Sequence, residues 1–304
     1  MSPNPENPEG FKLAIELAKE NGADLIIGTD PDADRVGVAV KHEGEYVLLT
    51  GNMTGIILME YLLSQQSPAP NAAIISTIVS TDMARAMAVD YGAAYFDVLT
   101  GFKYIGEKIR EFEESGSHTF VFGFEESYGY LTGTYARDKD AVAAALLVCE
   151  AAAFYRTQGL TLYDVLQRLY ARYGYYRETI SSITLKGVEG LQDIQRIMTA
   201  LRAKPPAQLA GARVVEARDY LNHEITHLDS GAKKPTTLPS SDVLYYAAED
   251  GSWACVRPSG TEPKVKIYFG VALPPTASVQ AAEDKLSEVV SDMKGLVERI
   301  LASV

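Results

Sequence analysis

Phe11, Ala14, Ile15 and Ala18 recur at three- and four-residue spacing in "NPEGFKLAIELAKENG", a stripe that predicts an amphipathic helix. Asn7 can cap it, Pro8 suits the first helical position, where no N–H is needed, and Gly22 ends it. The apolar "DLIIG" that follows predicts a short buried strand. Beyond an acidic loop, "VGVAV" and "EYVLL" predict two more strands around the turn "KHEGE". A helical "NMTGIILMEYLL" comes next, and the polar, Pro-containing "SQQSPAPNA" marks a boundary. This opening unit starts on a helix and has few strands to cover, as expected of the tail of a domain whose beginning is missing.

Strands and helices then alternate: "AAIIST", "DMARAMAVDYG", "AAYFDV", "GFKYIGEKIREFEESG", "HTFVFG", and a long helix from about Lys139. Such alternation predicts a mainly parallel sheet covered by helices, with ligands gathering at the carboxyl ends of its strands. Beyond about Arg172 the pattern changes to "YYRETISSITL", a helix near residues 189 to 203, and the strand-like "ARVVEA", "VLYYAA", "SWACVR" and "VKIYFGV". A last helix carries Val279, Ala282, Leu286, Val290, Met293, Val297 and Ile300 on its apolar face. The expected fold class is therefore α/β, with helices packed on sheets, followed by a separate α+β domain with an antiparallel sheet. The expected divisions fall at residues 1–66, 67–172 and 173–304.

A length of 304 residues is too great for one ordinary core, in keeping with several domains. The 28 Lys and Arg against 40 Asp and Glu give a net charge of −12, which argues against nucleic acid or an anionic membrane as a general partner. Any anionic ligand must then be held by local basic residues. The longest near-apolar run, from Ala141 to Tyr155, is broken by Glu150 and falls short of the roughly 20 residues a membrane helix needs, so no transmembrane segment is expected. With no secretory leader pattern at the start, the two cysteines, Cys149 and Cys255, are expected to be buried thiols of a reduced, cytoplasmic protein.

Three loops carry candidate chemistry. "GTDPDADR" places Asp30, Asp32 and Asp34 together before Arg35. At an effective dielectric near 20, two like charges about 4 Å apart repel by about 4 kcal/mol, so such a trio needs wide spacing or a cation. A solvated Asp turn, a Mg²⁺ site of hard oxygen ligands, and a phosphatase of haloacid-dehalogenase type with Asp30 as nucleophile all remain open. An EF-hand is excluded, because the sixth position from Asp30 is Arg35 and the twelfth is Lys41. "FGFEESYGYLTG" sets Glu125, Glu126 and Ser127 among glycines at a strand end, groups suited to sugar hydroxyls or equally to a plain polar loop. "RPSGTEPK" surrounds Ser259, Gly260 and Thr261 with Arg257 and Lys264, the composition of a phosphate nest or of a simple hairpin turn. Arg137 and Lys139 precede Asp140, a candidate helix cap, and Thr100, Gly101 and Lys103 stand at another strand-to-helix junction. His223 and His227 are four apart, but the stretch around them has the look of a loop and offers no third-ligand motif.

Each loop is ambiguous alone; their order is not. An acidic loop, a sugar-hydroxyl loop and a phosphate loop in that sequence resemble the α-D-phosphohexomutase family of phosphoglucomutases and phosphomannomutases. The resemblance spans nearly the whole chain and implies a four-domain enzyme whose last domain resembles the TATA-box-binding-protein fold. It implies that Asp30, Asp32 and Asp34 bind Mg²⁺, and that Arg35 and Lys139 act at the reacting phosphate and substrate. It further implies that Thr100, Gly101, Glu125 and Ser127 lie against the sugar, and that Arg257, Ser259, Gly260, Thr261 and Lys264 hold the distal phosphate.

The implied reaction interconverts hexose 1-phosphate and hexose 6-phosphate through a phosphoserine, with glucose 1,6-bisphosphate as activator and intermediate. The "EES" tract resembles members that favour glucose phosphates, while mannose or pentose phosphates remain open. The family's Thr-Ala-Ser-His-Asn loop, which carries the nucleophile, occurs nowhere in this chain. The expectation is a carboxyl-terminal portion without the first domain, inactive alone and completed by that missing amino-terminal domain. A stand-alone sugar-phosphate-binding protein is the alternative from outside enzymology.

Overall fold

The computed structural model describes residues 3–65, 69–185, 187–259 and 262–303. The chain divides into two compact units, Met1–Tyr173 and Gly174–Val304.

In the first unit the Asn7 side chain accepts the Glu9 N–H at 3.1 Å and caps a 3₁₀ turn, Pro8–Phe11, that runs into α1, Lys12–Asn21. Gly22, at φ 65°, closes that helix by donating its N–H to the Ala18 carbonyl. Phe11 and Ala18 bury against Ile26 and Ala39 of an antiparallel sheet ordered β1 (Leu25–Thr29), β2 (Val36–His42) and β3 (Glu45–Leu49). Two glycines paired across β1 and β2, Gly28 and Gly37, make room for the Phe11 ring. A Cβ at Gly28 would stand 3.2 Å from its Cζ, and one at Gly37 only 2.7 Å from the Pro5 carbonyl. The pair Thr29↔Val36 closes the hairpin, so residues 30–35 form its loop.

Helix α2, Gly51–Gln65, leads to a sheet ordered β5-β4-β6-β7. Strands β4 (Ala72–Thr77), β5 (Ala94–Val98) and β6 (Thr119–Glu125) are parallel, and β7 (Gly129–Thr132) is antiparallel to β6. Three residues separate β6 from β7, which permits only an antiparallel return. Helix α3, Met83–Asp90, and helix α4, Phe102–Ser115, make the crossovers. Phe102, Ile105, Ile109 and Phe112 of α4 bury against Ala73, Ile75, Val98 and Phe120.

The single long helix expected from about Lys139 is two, α5 (Ala141–Arg156) and α6 (Leu162–Tyr173), broken where Gly159 takes φ 73°. Asp140 caps α5, its Oδ1 accepting from Val142 N at 2.9 Å and Ala143 N at 3.0 Å. The expectation of two buried thiols holds for Cys255 and fails for Cys149, which is exposed on α5. That helix is apolar almost all round, with Val142 and Leu146 also exposed, so composition could not separate its covered face from its open one.

The second unit is an α+β domain of TATA-box-binding-protein-like form. Its antiparallel sheet runs β12-β11-β10-β13-β14-β15-β8, with the short β9 (Gln208–Leu209) beside β10. Strand β8 is Tyr175–Thr184, β10 Ala212–Asp219, β13 Leu244–Ala248, β14 Trp253–Pro258 and β15 Lys264–Leu273. Helices α7 (Gly187–Ala203) and α8 (Val279–Ala302) cover one face, where Ile197, Leu201, Met293 and Val297 meet Val256, Val265, Ile267 and Phe269. The stretch around His223 and His227, expected to be loop, instead forms the hairpin of β11 (Glu224–His227) and the edge strand β12 (Ala232–Pro235). Its polar composition suits the solvent side of a sheet margin, a pattern that resembles loop when read without its partners. Among the described residues, no helix is long and apolar enough to cross a membrane.

Helix α6 begins on a reciprocal cap. Thr161 N donates to Asp164 Oδ2 at 2.7 Å, and Asp164 N donates to Thr161 Oγ1 at 3.1 Å. Burial pushes the Asp164 carboxyl up, but the Thr161 donors and nearby His42 outweigh it, leaving the group below its ordinary 3.8. A depressed carboxyl stabilises the fold above the unfolded value and loses that contribution as pH falls through the folded one. Asp164→Ala should therefore lower stability at pH 7 by about 1 kcal/mol. In urea melts the difference from wild type should shrink steadily below about pH 4.

Candidate active site

The hairpin geometry of β1 and β2 concentrates the three aspartates. Asp30 is 3% exposed, and its Oδ1 accepts the backbone N–H groups of Asp34 at 3.1 Å and Arg35 at 3.0 Å. Its Oδ2 accepts Arg35 Nε at 2.8 Å. Ala33 takes φ 56°, a left-handed value uncommon for a residue with a side chain, and this turns the loop back on itself. One oxygen each from Asp30, Asp32 and Asp34 then lies within 4.8 Å of the others. Asp32 is exposed, whereas Asp34 Oδ1 is buried without a hydrogen-bond partner. A buried carboxylate oxygen that accepts no hydrogen bond, its ion-pair partner Arg35 Nε standing 3.6 Å away, beside two more carboxylates is a donor set that fits a hard cation such as Mg²⁺.

Two cations border this cluster. Arg35 is held by Asp30 and by Glu6 Oε1 at 3.1 Å, with Asn4 Oδ1 at 3.4 Å. Lys139, which immediately precedes the cap of α5, reaches Asp34 Oδ2 at 3.0 Å and Asp138 Oδ1 at 3.0 Å, with its ammonium 5.6 Å from the Phe102 ring centre. Burial pushes the Asp30 carboxyl up, but the Arg35 backbone N–H and guanidinium overcome it and hold the group well below the usual carboxylate range. Asp34 is raised, by burial first and by Asp30, against the pull of Lys139. Burial lowers Lys139, yet its bonds to Asp138 and Asp34 leave it raised and charged.

The turn joining β6 to β7 sits beside this pair. Val36 N donates to the Tyr128 carbonyl at 3.0 Å and Arg35 bridges to Gly129, tying the acidic hairpin to the turn. Glu125, 5% exposed, accepts the Gly101 N–H at 2.9 Å, which brings Thr100 and Gly101 against it. Burial raises the Glu125 carboxyl, with Lys139 and the Gly101 N–H opposing. Ser127 lies half-buried in the same turn. The structure thus brings Asp30, Asp32, Asp34, Arg35, Lys139, Thr100, Gly101, Glu125 and Ser127 together in the first unit.

The basic loop belongs to the second unit. Arg257 pairs with Lys266 across β14 and β15, and Ser259 N donates to the Lys264 carbonyl at 2.8 Å. Lys264 bonds to Glu262. Gly260 and Thr261 lie outside the described residues. Strand alternation puts Arg257, Lys264 and Lys266 on the sheet face opposite the one covered by α7 and α8.

Comparison with known proteins bears on the whole arrangement. Residues 1–44 match the model of phosphoglucomutase/phosphomannomutase α/β/α domain II, residues 50–173 that of α/β/α domain III, and residues 194–288 that of the C-terminal domain. The chain belongs to the α-D-phosphohexomutase family. A phosphoglucomutase of Staphylococcus aureus strain USA300 is 39% identical over 275 residues, 90% of this chain and 49% of that protein. One from strain N315 is 38% identical over the same length. The chain therefore spans about half the length of the curated relatives it matches. Among solved structures, a putative phosphomannomutase from Thermus thermophilus superposes with a TM-score of 0.63 at 18% identity, over 96% of this chain and 50% of that one. The Paramecium pp63/parafusin phosphoglucomutase superposes at 0.65 and 15%, over 97% and 50%. At such identities these two show the fold.

Three members of the constellation were missed by sequence reasoning. Lys266 could have been found from the alternation in "KVK", which puts it on the face of Lys264. Glu6 had no local signal for its contact with Arg35, 29 residues away. Gly129 looked like one more loop glycine, yet a Cβ there would stand 2.2 Å from Lys139 Cδ. Because a lysine stem can shift, Gly129→Ala should cost under about 1 kcal/mol of stability while displacing Lys139 from Asp34. Mass-spectrometric amine labelling should then find Lys139 several-fold more reactive than in wild type.

Proposed function

We propose that this chain forms the metal-holding, sugar-reading and distal-phosphate-holding parts of a phosphohexomutase that interconverts hexose 1-phosphate and hexose 6-phosphate through a phosphoserine and a bisphosphate. In this reading those parts occupy residues 1–66, 67–172 and 173–304. The observation that carries it is the convergence of Asp30, Asp32 and Asp34, one with a buried oxygen that accepts no hydrogen bond, on a lysine and a sugar-suited turn within a single unit. The relatives' name, phosphoglucomutase, supports glucose phosphates as the substrates.

Asp30, Asp32 and Asp34 would hold Mg²⁺, which supplies Lewis-acid neutralisation of a transferring phosphoryl group. Arg35, oriented by Asp30 and Glu6, offers guanidinium donors to phosphate oxygens, and Lys139 places a fixed positive charge beside them. Glu125 accepts hydrogen bonds from sugar hydroxyls while Gly101 holds it in place, and Ser127 can donate or accept. Arg257, Ser259 and Lys264, with Gly260 and Thr261 of the same sequence motif, would take the distal phosphate. Turnover in this reading also needs the nucleophilic serine loop, whose motif does not occur in this sequence.

Calorimetric titration tests this. Mg²⁺ binding should weaken at least about tenfold in Asp34→Asn, and glucose 1,6-bisphosphate binding about tenfold in Arg257→Ala, the scale of one lost charge-assisted hydrogen bond. The chain alone should not convert glucose 1-phosphate to glucose 6-phosphate. Unchanged Mg²⁺ affinity in Asp34→Asn would remove the metal assignment.

A further inference from the structure

We propose that Glu126 is a positioning residue that straps the β6–β7 turn to the carboxyl end of β4 through Thr77, so that its neighbours Glu125 and Ser127 are held toward the sugar. The role of those neighbours rests on the phosphohexomutase reading above.

Adjacent residues at a strand end send their side chains opposite ways. Glu125 reaches Gly101, whereas Glu126 Oε2 accepts the Thr77 hydroxyl proton at 3.0 Å. The protons around Thr77 leave little choice about that bond. Thr77 Oγ1 accepts from Val79 N at 3.4 Å and lies 2.9 Å from Ser80 Oγ, which itself accepts from Thr77 N at 3.3 Å. With the Thr77 proton given to Glu126, Ser80 Oγ is the group left to donate to Thr77 Oγ1. Both hydroxyl residues are buried, at 1% and 4% exposure. On the other side the turn backbone lies against the start of α2, where a Cβ at Gly51 would stand 2.0 Å from the Glu126 carbonyl oxygen. Beside the Val36 N–H on the Tyr128 carbonyl and the Glu125–Gly101 bond, the turn is thus held by a backbone contact that only glycine permits and by the Glu126–Thr77 hydrogen bond.

The charged groups facing Glu126 are Glu125 on its own turn and Glu6 from the amino-terminal segment, both anionic; Thr77, Ser80 and Gly51 bring no charge. Burial first, then Glu125, pushes the Glu126 carboxyl from its ordinary 4.5 up to about 7. A carboxyl raised in the closed turn binds its proton more tightly there than when opened to water. Opening is therefore favoured as pH rises through about 7, by about tenfold between about pH 6 and 8.

Hydrogen exchange of the 304-residue chain at the amides of residues 125–129, corrected for intrinsic pH effects, measures that opening. Glucose 1,6-bisphosphate titrated with Mg²⁺ measures its consequence. Thr77→Val should raise opening about tenfold and weaken bisphosphate binding, and Thr77→Ser should restore both. Glu126→Gln, whose amide oxygen still accepts the Thr77 proton, should keep the turn closed and abolish the rise of opening with pH. Wild-type exchange in Thr77→Val, or a pH rise persisting in Glu126→Gln, overturns the proposal. If Thr77→Val fails to fold, the Glu126→Gln pH profile decides. If Glu125→Gln leaves bisphosphate affinity unchanged, the sugar-site reading fails, while the exchange data still judge the strap.

Discussion

The contact of the Lys139 ammonium with Asp34, 3.0 Å long, is the interaction on which the candidate site depends. It joins the residue before the α5 cap to a hairpin loop more than a hundred positions earlier, and it passes over Gly129, whose missing side chain leaves room for the lysine stem. An unpaired carboxylate at this depth would be costly, and so would an unpaired ammonium. Their pairing lets the acidic loop, the β6–β7 turn and the start of α5 settle in one place. The Ala141 N–H bonded to the Ala33 carbonyl at 3.0 Å fastens the same junction through the backbone.

The charge arrangement around that contact is unbalanced. Asp30 is neutralised by Arg35, and Asp34 in part by Lys139, but Asp32, Asp138 and Glu6 add further negative charge nearby. The excess is concentrated where three aspartate oxygens lie within 4.8 Å, so a divalent cation would offset most of it. This also fits the bulk charge. A chain with a net charge of −12 repels anions as a whole, so any anion it binds must be met by a few placed cations.

Much of the architecture was legible because periodicity reports directly on burial. The α4 stripe of Phe102, Ile105, Ile109 and Phe112 is the buried face in the structure, and the alternation of strands and helices pointed to the parallel sheet. Legibility failed where one pattern fits two environments. The hairpin strands around His223 and His227 carry the polar composition of a loop, and a helix apolar all round hid the exposure of Cys149. Among the described residues, the two histidines do not share a metal site: His223 faces the Leu238 carbonyl and His227 faces Glu216.

The sequence by itself determined the motif order, the helix caps at Asn7 and Asp140, and the membership of the acidic, Glu125–Ser127 and basic loops, because these depend on residues within a few positions of one another. Only the tertiary structure decided which carboxylate pairs with which cation, that Glu125 and Glu126 part toward Gly101 and Thr77, and that Asp34 keeps a buried oxygen that accepts no hydrogen bond. Those facts follow from the meeting of segments distant in sequence, where desolvation and a few tenths of an ångström of packing set each partner, and no local pattern encodes them.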